Sequence, residues 1–437
     1  MIKNRKAILA LLTGLNLLNY IDRYVVAAVL KDMQAPVAAG GLNLSNLEGG
    51  LLGTAFMIGY FATSPLFGAR ADKGRRTGLI AFGVAVWSVA TFATGLAHTF
   101  GQMLAARIVV GVGEASYATL APTIIDDLTP PDEKNRALAI FYLAIPVGSA
   151  LGYVLGGTIL KFWGWRYAYF ITGGPGIVLA LSCLAIAEPP RKLREAAGKL
   201  LDAMRTMLKL PLFRRDVLGY CMYTWAIGAF AYWAPKYLAE TYAPTLHVVV
   251  TNGLAHFVVV TEHTLTTASA ATYFGAVTVV GGAIGTLIGG RWSDRALRAV
   301  PDAAAGLPWD ATPTKRGTNA LLGVCSKSMI IAAPLTAVVF LMPTPMTFFA
   351  VALGAEIFLF LSTSPVNAIG LRAVPPELRA SAMAGMIFAI HLFGDLWSPS
   401  VLGLLYDYLI PAAAMMIVPL VFGFAAYTWW PRAKEAA

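Results

Sequence analysis

A chain of 437 residues that is 57% apolar and only 13% charged carries more apolar surface than a water-facing fold can bury, which excludes a soluble protein and indicates a polytopic membrane protein. The formal net charge of +10 would suit a nucleic-acid binder, but the basic residues lie between apolar segments, as membrane flanks do. The three cysteines, Cys183, Cys221 and Cys325, sit in or beside apolar segments without C-x-x-C spacing and read as small packing residues, not metal ligands or disulfides.

The first of twelve candidate spans covers about 7–30. Met1-Ile-Lys-Asn-Arg-Lys resembles a signal n-region, but the apolar run after it is too long for a cleaved segment and no small-residue site ends it. It is expected to be retained as a membrane helix. This span contains Asn19-Tyr20-Ile21-Asp22-Arg23-Tyr24. A charge near the centre of such a helix costs at least about 2.5–3.5 kcal/mol on insertion scales, so it normally faces a partner or a water-filled cavity. Adjacent residues diverge by about 100°, so Asp22 and Arg23 need different partners. An ion pair that merely locks the helix to its neighbours is the competing reading.

The second span, about 47–69, opens with Ser45-Asn-Leu-Glu48, a capping box that makes Glu48 structural. The third covers about 77–97. The fourth, about 100–124, reads Arg107-x3-Gly111-x2-Glu114-x2-Tyr117. Residues 107, 111 and 114 share one helix face, with the two charges about 10 Å apart along the axis. Opposite helix directions place Asp22, Arg23 and Arg107 at similar depth and Glu114 one to two turns deeper. Burial favours the neutral form of a carboxylate and an adjacent arginine favours the charged form. A proton-coupled carrier needs a carboxylate that moves between the two.

The fifth span, about 136–160, holds Gly148, Gly152 and Gly156, and the eighth, about 269–290, holds Gly281, Gly285 and Gly289. Such stripes let backbones approach closely, either at a seam between rocking halves or inside one half. The sixth and seventh spans cover about 166–187 and 215–240. The polar link between them, with Leu193, Ala197, Leu200, Met204 and Leu208 at helical spacing, is expected to be an amphipathic helix on the inner membrane face. The link 241–267 is assigned only as a periplasmic excursion. The ninth to twelfth spans cover about 318–341, 345–366, 379–402 and 409–431. The tenth contains Glu356 and Thr363, and the eleventh His391 and Asp395 at i, i+4.

Most of the 33 basic residues fall in one alternating set of links. The other set holds only Lys31, Lys161, Arg166 and Lys236. The positive-inside rule then places both termini in the cytoplasm. Gly68-x3-Asp72-Lys73 ends the second span and Gly290-x3-Asp294-Arg295 ends the eighth, about half the chain apart. A parallel repeat follows: an N-terminal bundle over 1–190, a linker over 191–213 and a C-terminal bundle over 214–437. Asp72, Lys73, Arg75, Arg76, Asp294 and Arg295 are candidate gating residues, closing an inner gate against the opposite half in one state; anchoring of topology is the alternative.

Several stretches resemble the major facilitator superfamily and, within it, the spinster family of lipid transporters. Asn19-Tyr-Ile-Asp22-Arg23-Tyr is similar to that family's first-helix signature. Gly113-Glu114-Ala-Ser-Tyr117 through Pro122 to Asp126 resembles its fourth-helix block, Phe141 through Pro146 and Gly148 to Tyr153 its fifth, and His391-Leu-Phe-Gly394-Asp395-Leu-Trp-Ser-Pro399 its eleventh. One departure is that Lys73 meets Gly74 directly, where the superfamily motif has an intervening residue. The resemblance implies an all-α fold of twelve transmembrane helices in two six-helix bundles. It also implies alternating access and amphipathic lipid anions as substrates, of the sphingosine-1-phosphate or lysophospholipid kind. On it, Asp22 and Glu114 carry the proton and Arg23 holds the anionic headgroup. Asn19, Tyr20, Tyr60, Arg107, Tyr117, Glu356 and Thr363 complete the candidate substrate-binding set, with His391 and Asp395 of second rank. Phe56, Tyr60, Phe358 and Phe360 are candidates for a tail path.

The competing carrier reading is proton-coupled symport of a small organic anion, a sugar acid or carboxylate. A lipid-modifying enzyme using Asp126-Asp127 lacks a second acidic cluster, no G-x4-G-K-[ST] loop for ATP is present, and no repeated filter suggests a channel. Expected partners are the substrate, protons and the bilayer, with no nucleic acid, no metal and no cofactor. The expected state is a monomer in the cell membrane, of the bacterial inner-membrane type.

Overall fold

Every expected span is a helix in the computed structural model, which describes residues 4–71, 74–130, 133–189, 205–243, 264–300, 310–375 and 378–433, together with Ile2 and two short strands. The helices are α1 Arg5–Gln34, α2 Asn46–Ala71, α3 Arg76–Gly95, α4 Phe100–Leu128, α5 Lys134–Trp163, α6 Trp165–Leu184, α7 Pro211–Thr241, α8 Thr267–Arg298, α9 Thr312–Val339, α10 Pro345–Arg372, α11 Ser381–Tyr408 and α12 Pro411–Trp429. Among the described residues, ten helices are long and apolar enough to cross a membrane on composition alone. The other two are α1, which carries Asp22 and Arg23, and the Tyr- and Trp-rich α7. Residues 191–204 of the expected amphipathic linker lie outside the described residues.

The segment read only as an excursion contains an antiparallel hairpin. Strand β1, Thr245–Thr251, pairs with β2, Leu254–Val260, with Thr245 opposite Val260 and Thr251 opposite Leu254. The intervening Asn252-Gly253 lies outside the described residues, but Asn-Gly between β-branched runs is a strong short-range hairpin signal.

Internal contacts divide the chain into two compact units. The first contains Met1–Leu193, Tyr232–Ala276 and Pro399–Tyr408; the second contains Arg194–Ala231, Val277–Ser398 and Leu409–Ala437. In the first, α1 lies along α5. A Cβ at Gly148 would stand 2.7 Å from the Leu17 carbonyl oxygen, and one at Gly152 2.8 Å from that of Ile21. In the second, Gly285 and Gly289 abut the carbonyls of Ile357 and Leu361 on α10, and Gly281 abuts Glu356. Both glycine stripes therefore serve helix contacts inside one unit, and the seam reading does not hold for them. The capping box at α2 is formed as expected: Ser45 N–H donates to Glu48 Oε2 at 2.8 Å and Glu48 N–H donates to Ser45 Oγ at 3.1 Å.

Candidate functional site: a buried charge cluster in the first unit

The cluster starts from two close helix crossings. Gly111 of α4 abuts the Phe56 carbonyl of α2, and Gly113 on the next face abuts the backbone of Gly83 and Trp87 on α3. With no side chains at these points, α4 packs directly on α2 and α3, which keeps Arg107 and Glu114 in the interior of the unit. Arg23 Nη2 donates to Glu114 Oε2 at 3.2 Å. The Glu114 side chain is fully buried, whereas 20% of the Arg23 side chain is exposed. The Arg23 guanidinium lies over the rings of Phe56, Tyr20 and Tyr60, at 4.9, 5.0 and 5.8 Å from their centroids. Arg107, 2% exposed, lies 5.1 Å from the Phe56 centroid. Phe56 is thus a shared platform for two guanidiniums, and at 2% exposure it does not line an open tail path.

Asp22 points elsewhere, as the divergence of adjacent residues requires. Its Oδ2 accepts the Trp87 indole N–H at 2.6 Å and the Thr91 hydroxyl at 3.5 Å, both from α3. Asp22 is 1% exposed. Asp22 Oδ1 and Glu114 Oε1 are buried and receive no hydrogen bond among the described residues. Asn19 is buried one turn before Arg23. Tyr117 is also buried, but its hydroxyl donates to the Leu12 carbonyl at 2.5 Å and its ring meets Trp87 and Phe141, so it braces α4 against α1. Sequence reasoning missed Trp87 and Thr91. The available signal was an indole N–H inside an apolar span, a donor that needs a buried acceptor.

The remaining candidates are placed apart from this group. In the second unit, Glu356 is 2% exposed and accepts the Thr278 hydroxyl of α8 at 3.0 Å. Thr363 is half-buried at the start of the second segment of α10. His391 Nδ1 stands 3.0 Å from both Asp395 oxygens. This pair lies on a π-turn that breaks α11 at Gly394, whose φ and ψ are −100° and −105°, and such turns recur at functional sites. Asp72 and Lys73 lie outside the described residues. Arg75, Asp294 and Arg295 are exposed.

Arg76 is buried in a network within the first unit, with Asp127 at 2.5 Å and Glu188 at 3.0 Å. Glu188 also accepts the Thr77 N–H at 3.1 Å and its hydroxyl at 3.0 Å. Partial burial opposes ionisation of Glu188, but the Thr77 and Arg76 donors outweigh it and hold the carboxyl below its usual range. A depressed folded value adds stability above the unfolded value of about 4.3, and that stability is lost as pH falls through the folded value. Glu188→Gln should lower stability by about 1.5–3 kcal/mol at neutral pH and flatten the acid limb. Thermal unfolding between pH 3 and 7 checks this; superimposable profiles would refute it.

A second polar cluster, also missed, joins the later segments of the first unit to α1 and α2. Lys236 donates to Gln34 at 2.5 Å and to Asn46, and it faces the stacked rings of Trp233 and Tyr406. Asp407 accepts the N–H groups of Asn46 and Leu47, each at 2.9 Å, where the α2 dipole favours an anion. Lys31 Nζ donates to the Ala239 carbonyl at 2.7 Å. Lys31 and Lys236 are two of the four cations on the sparsely charged side of the chain, which was the legible hint.

Residues 12–399 match the family model of the major facilitator superfamily, and the chain is a multi-pass membrane transporter of that class, not an enzyme. The probable sphingolipid transporter spinster homolog 1 of Arabidopsis thaliana is 31% identical, across 95% of this chain and 86% of that protein. Protein spinster homolog 1 of Homo sapiens is 32% identical, across 92% of this chain and 72% of its own length. The chain belongs to the spinster family. Its fold matches a bacterial homologue of the human lysosomal transporter spinster in an inward-facing, occupied conformation, with TM-score 0.78, 21% identity and coverage of 100% and 99% of the two chains.

Proposed function

We propose that this chain is a proton-coupled carrier of amphipathic lipid anions, of the sphingosine-1-phosphate or lysophospholipid kind, working by alternating access between an N-terminal bundle (1–190) and a C-terminal bundle (214–437). The observation that carries the reading is the asymmetry of the Arg23–Glu114 pair. The arginine keeps 20% of its side chain exposed while the acid keeps none. An anion entering from the open side meets the guanidinium first. When a phosphate takes Arg23, Glu114 is left in a low-dielectric site without the one counter-charge in direct contact with it among the described residues. A buried carboxylate in that position is held at lower cost neutral than charged. Proton and anion therefore bind with positive coupling, and the coupling is reciprocal.

Asp22, bonded to Trp87 and Thr91, is the second proton-carrying group. The Lys236 and Asp407 contacts form a latch that must release in the opposite state of the cycle. The sphingolipid transporter named among the relatives supports a lipid over a sugar acid. A thermal-shift panel tests the choice: lysophosphatidate and sphingosine-1-phosphate should stabilise the purified protein, more strongly at pH 5.5 than at pH 8, and glucuronate and gluconate should not. Stabilisation by the sugar acids alone would assign the carrier to small organic anions.

A further inference from the structure

We infer that the second unit carries a binding site for an anionic phospholipid of the bilayer, separate from the transport site. At the shared end of α8, α9 and α12 lies a cavity of about 690 Å3, lined by Arg291, Trp292 and Arg295 of α8 and Lys327 of α9, and floored by Gly323 and Pro431. Among the described residues no acidic side chain lines it, and the side chains of the three cations form no ion pair or hydrogen bond with other described residues. Three like charges around one cavity repel one another unless an anion joins them. Gly323 faces Pro431, two residues past the end of α12, with a Cβ there 3.4 Å from the ring, so Lys327 lies about one turn inside that level. All three cations are exposed. An exposed lysine one turn inside an apolar span is costly unless its ammonium reaches the interface or an anion.

The surroundings select a lipid over a soluble anion. Leu287 and Ile288 of α8 are 67% and 41% exposed, and Ile330 and Ile331 of α9 are 46% and 38% exposed, so apolar flanks continue from the cavity toward the hydrocarbon. A Trp indole beside cations is the side-chain set of a membrane interface. Arg291 and Arg295 offer planar forks for phosphate oxygens and Lys327 a point charge. The charge bias along the chain puts this end of α8 in the inner leaflet, where anionic lipids concentrate. The inference rests on that bias and on the cavity, not on the proton-coupled reading, so either can fail alone.

Binding of palmitoyl-oleoyl phosphatidylglycerol to the full-length detergent-solubilised protein, followed by native mass spectrometry and thermal shift, tests it. Phosphatidylglycerol should bind in preference to phosphatidylcholine of the same chains. Arg291→Gln with Lys327→Gln should weaken it roughly 25-fold, about fivefold for each basic group near an anionic headgroup. The charge-conserving pair Arg291→Lys with Lys327→Arg should retain binding to within a few-fold, which separates loss of charge from loss of fold. Equal binding by wild type and the double glutamine variant would overturn the site, as would equal loss in both double variants. Equal stabilisation by sn-glycerol 3-phosphate would assign the cavity to a soluble phosphate instead.

Discussion

Proteoliposomes containing Glu114→Gln or Asp22→Asn should show no accumulation of lysolipid driven by a pH gradient, whereas a one-unit gradient should drive the wild type to about tenfold accumulation for one coupled proton. Both substitutions keep the local bonding. Glutamine retains an acceptor oxygen for Arg23 (3.2 Å from Glu114), and asparagine retains one for the Trp87 indole (2.6 Å from Asp22). What each loses is the ability to change charge. The variants should therefore fold and exchange substrate down its gradient. Full proton-driven accumulation by either would remove that residue from the proton path.

Replacing Arg23 by alanine should cut lysolipid affinity on the order of 100-fold, because truncating one side of a buried charge pair costs about 2–5 kcal/mol. The same change leaves Glu114 fully buried without its ion-pair partner, so the protein should also lose several kcal/mol of stability. The two effects separate in the double variant Arg23→Ala, Glu114→Gln. Removing the orphaned charge should restore most of the melting temperature and none of the affinity. Titration calorimetry beside thermal unfolding checks both halves; recovery of binding in the double variant would mean that Arg23 acts on Glu114 and never on the substrate.

The parts of this arrangement that were legible in the sequence are those where physics makes a residue expensive. Asp22, Arg23, Arg107 and Glu114 stand out because charge in an apolar helix is costly, and the structure brings Arg23 and Glu114 into contact. The partners that stabilise them were hard to read. Phe56 and Trp87 look like ordinary packing on an apolar helix, and only their place opposite guanidiniums and a carboxylate gives them another meaning. The glycine stripes were ambiguous for a related reason: close backbone approach is the same motif inside a bundle as at a seam, and the partner helix, α1 or α10, decides. Two hints were present and passed over, Asn252-Gly253 for the hairpin and Lys236 for the polar cluster with Gln34 and Asn46. The break at Gly394 of α11 also had a local signal in Pro399, which cannot donate to the carbonyl of Asp395 and crowds it.

Proton exchange on substrate binding reaches the central claim most directly. Lysophosphatidate added to the detergent-solubilised protein in weakly buffered solution at pH 7 should draw about one proton from the medium for each lipid bound, as Arg23 leaves Glu114, and Glu114→Gln should draw none beyond the lipid's own titration. Binding of full affinity with no proton uptake in the wild type, or with the same uptake in Glu114→Gln, would contradict the account.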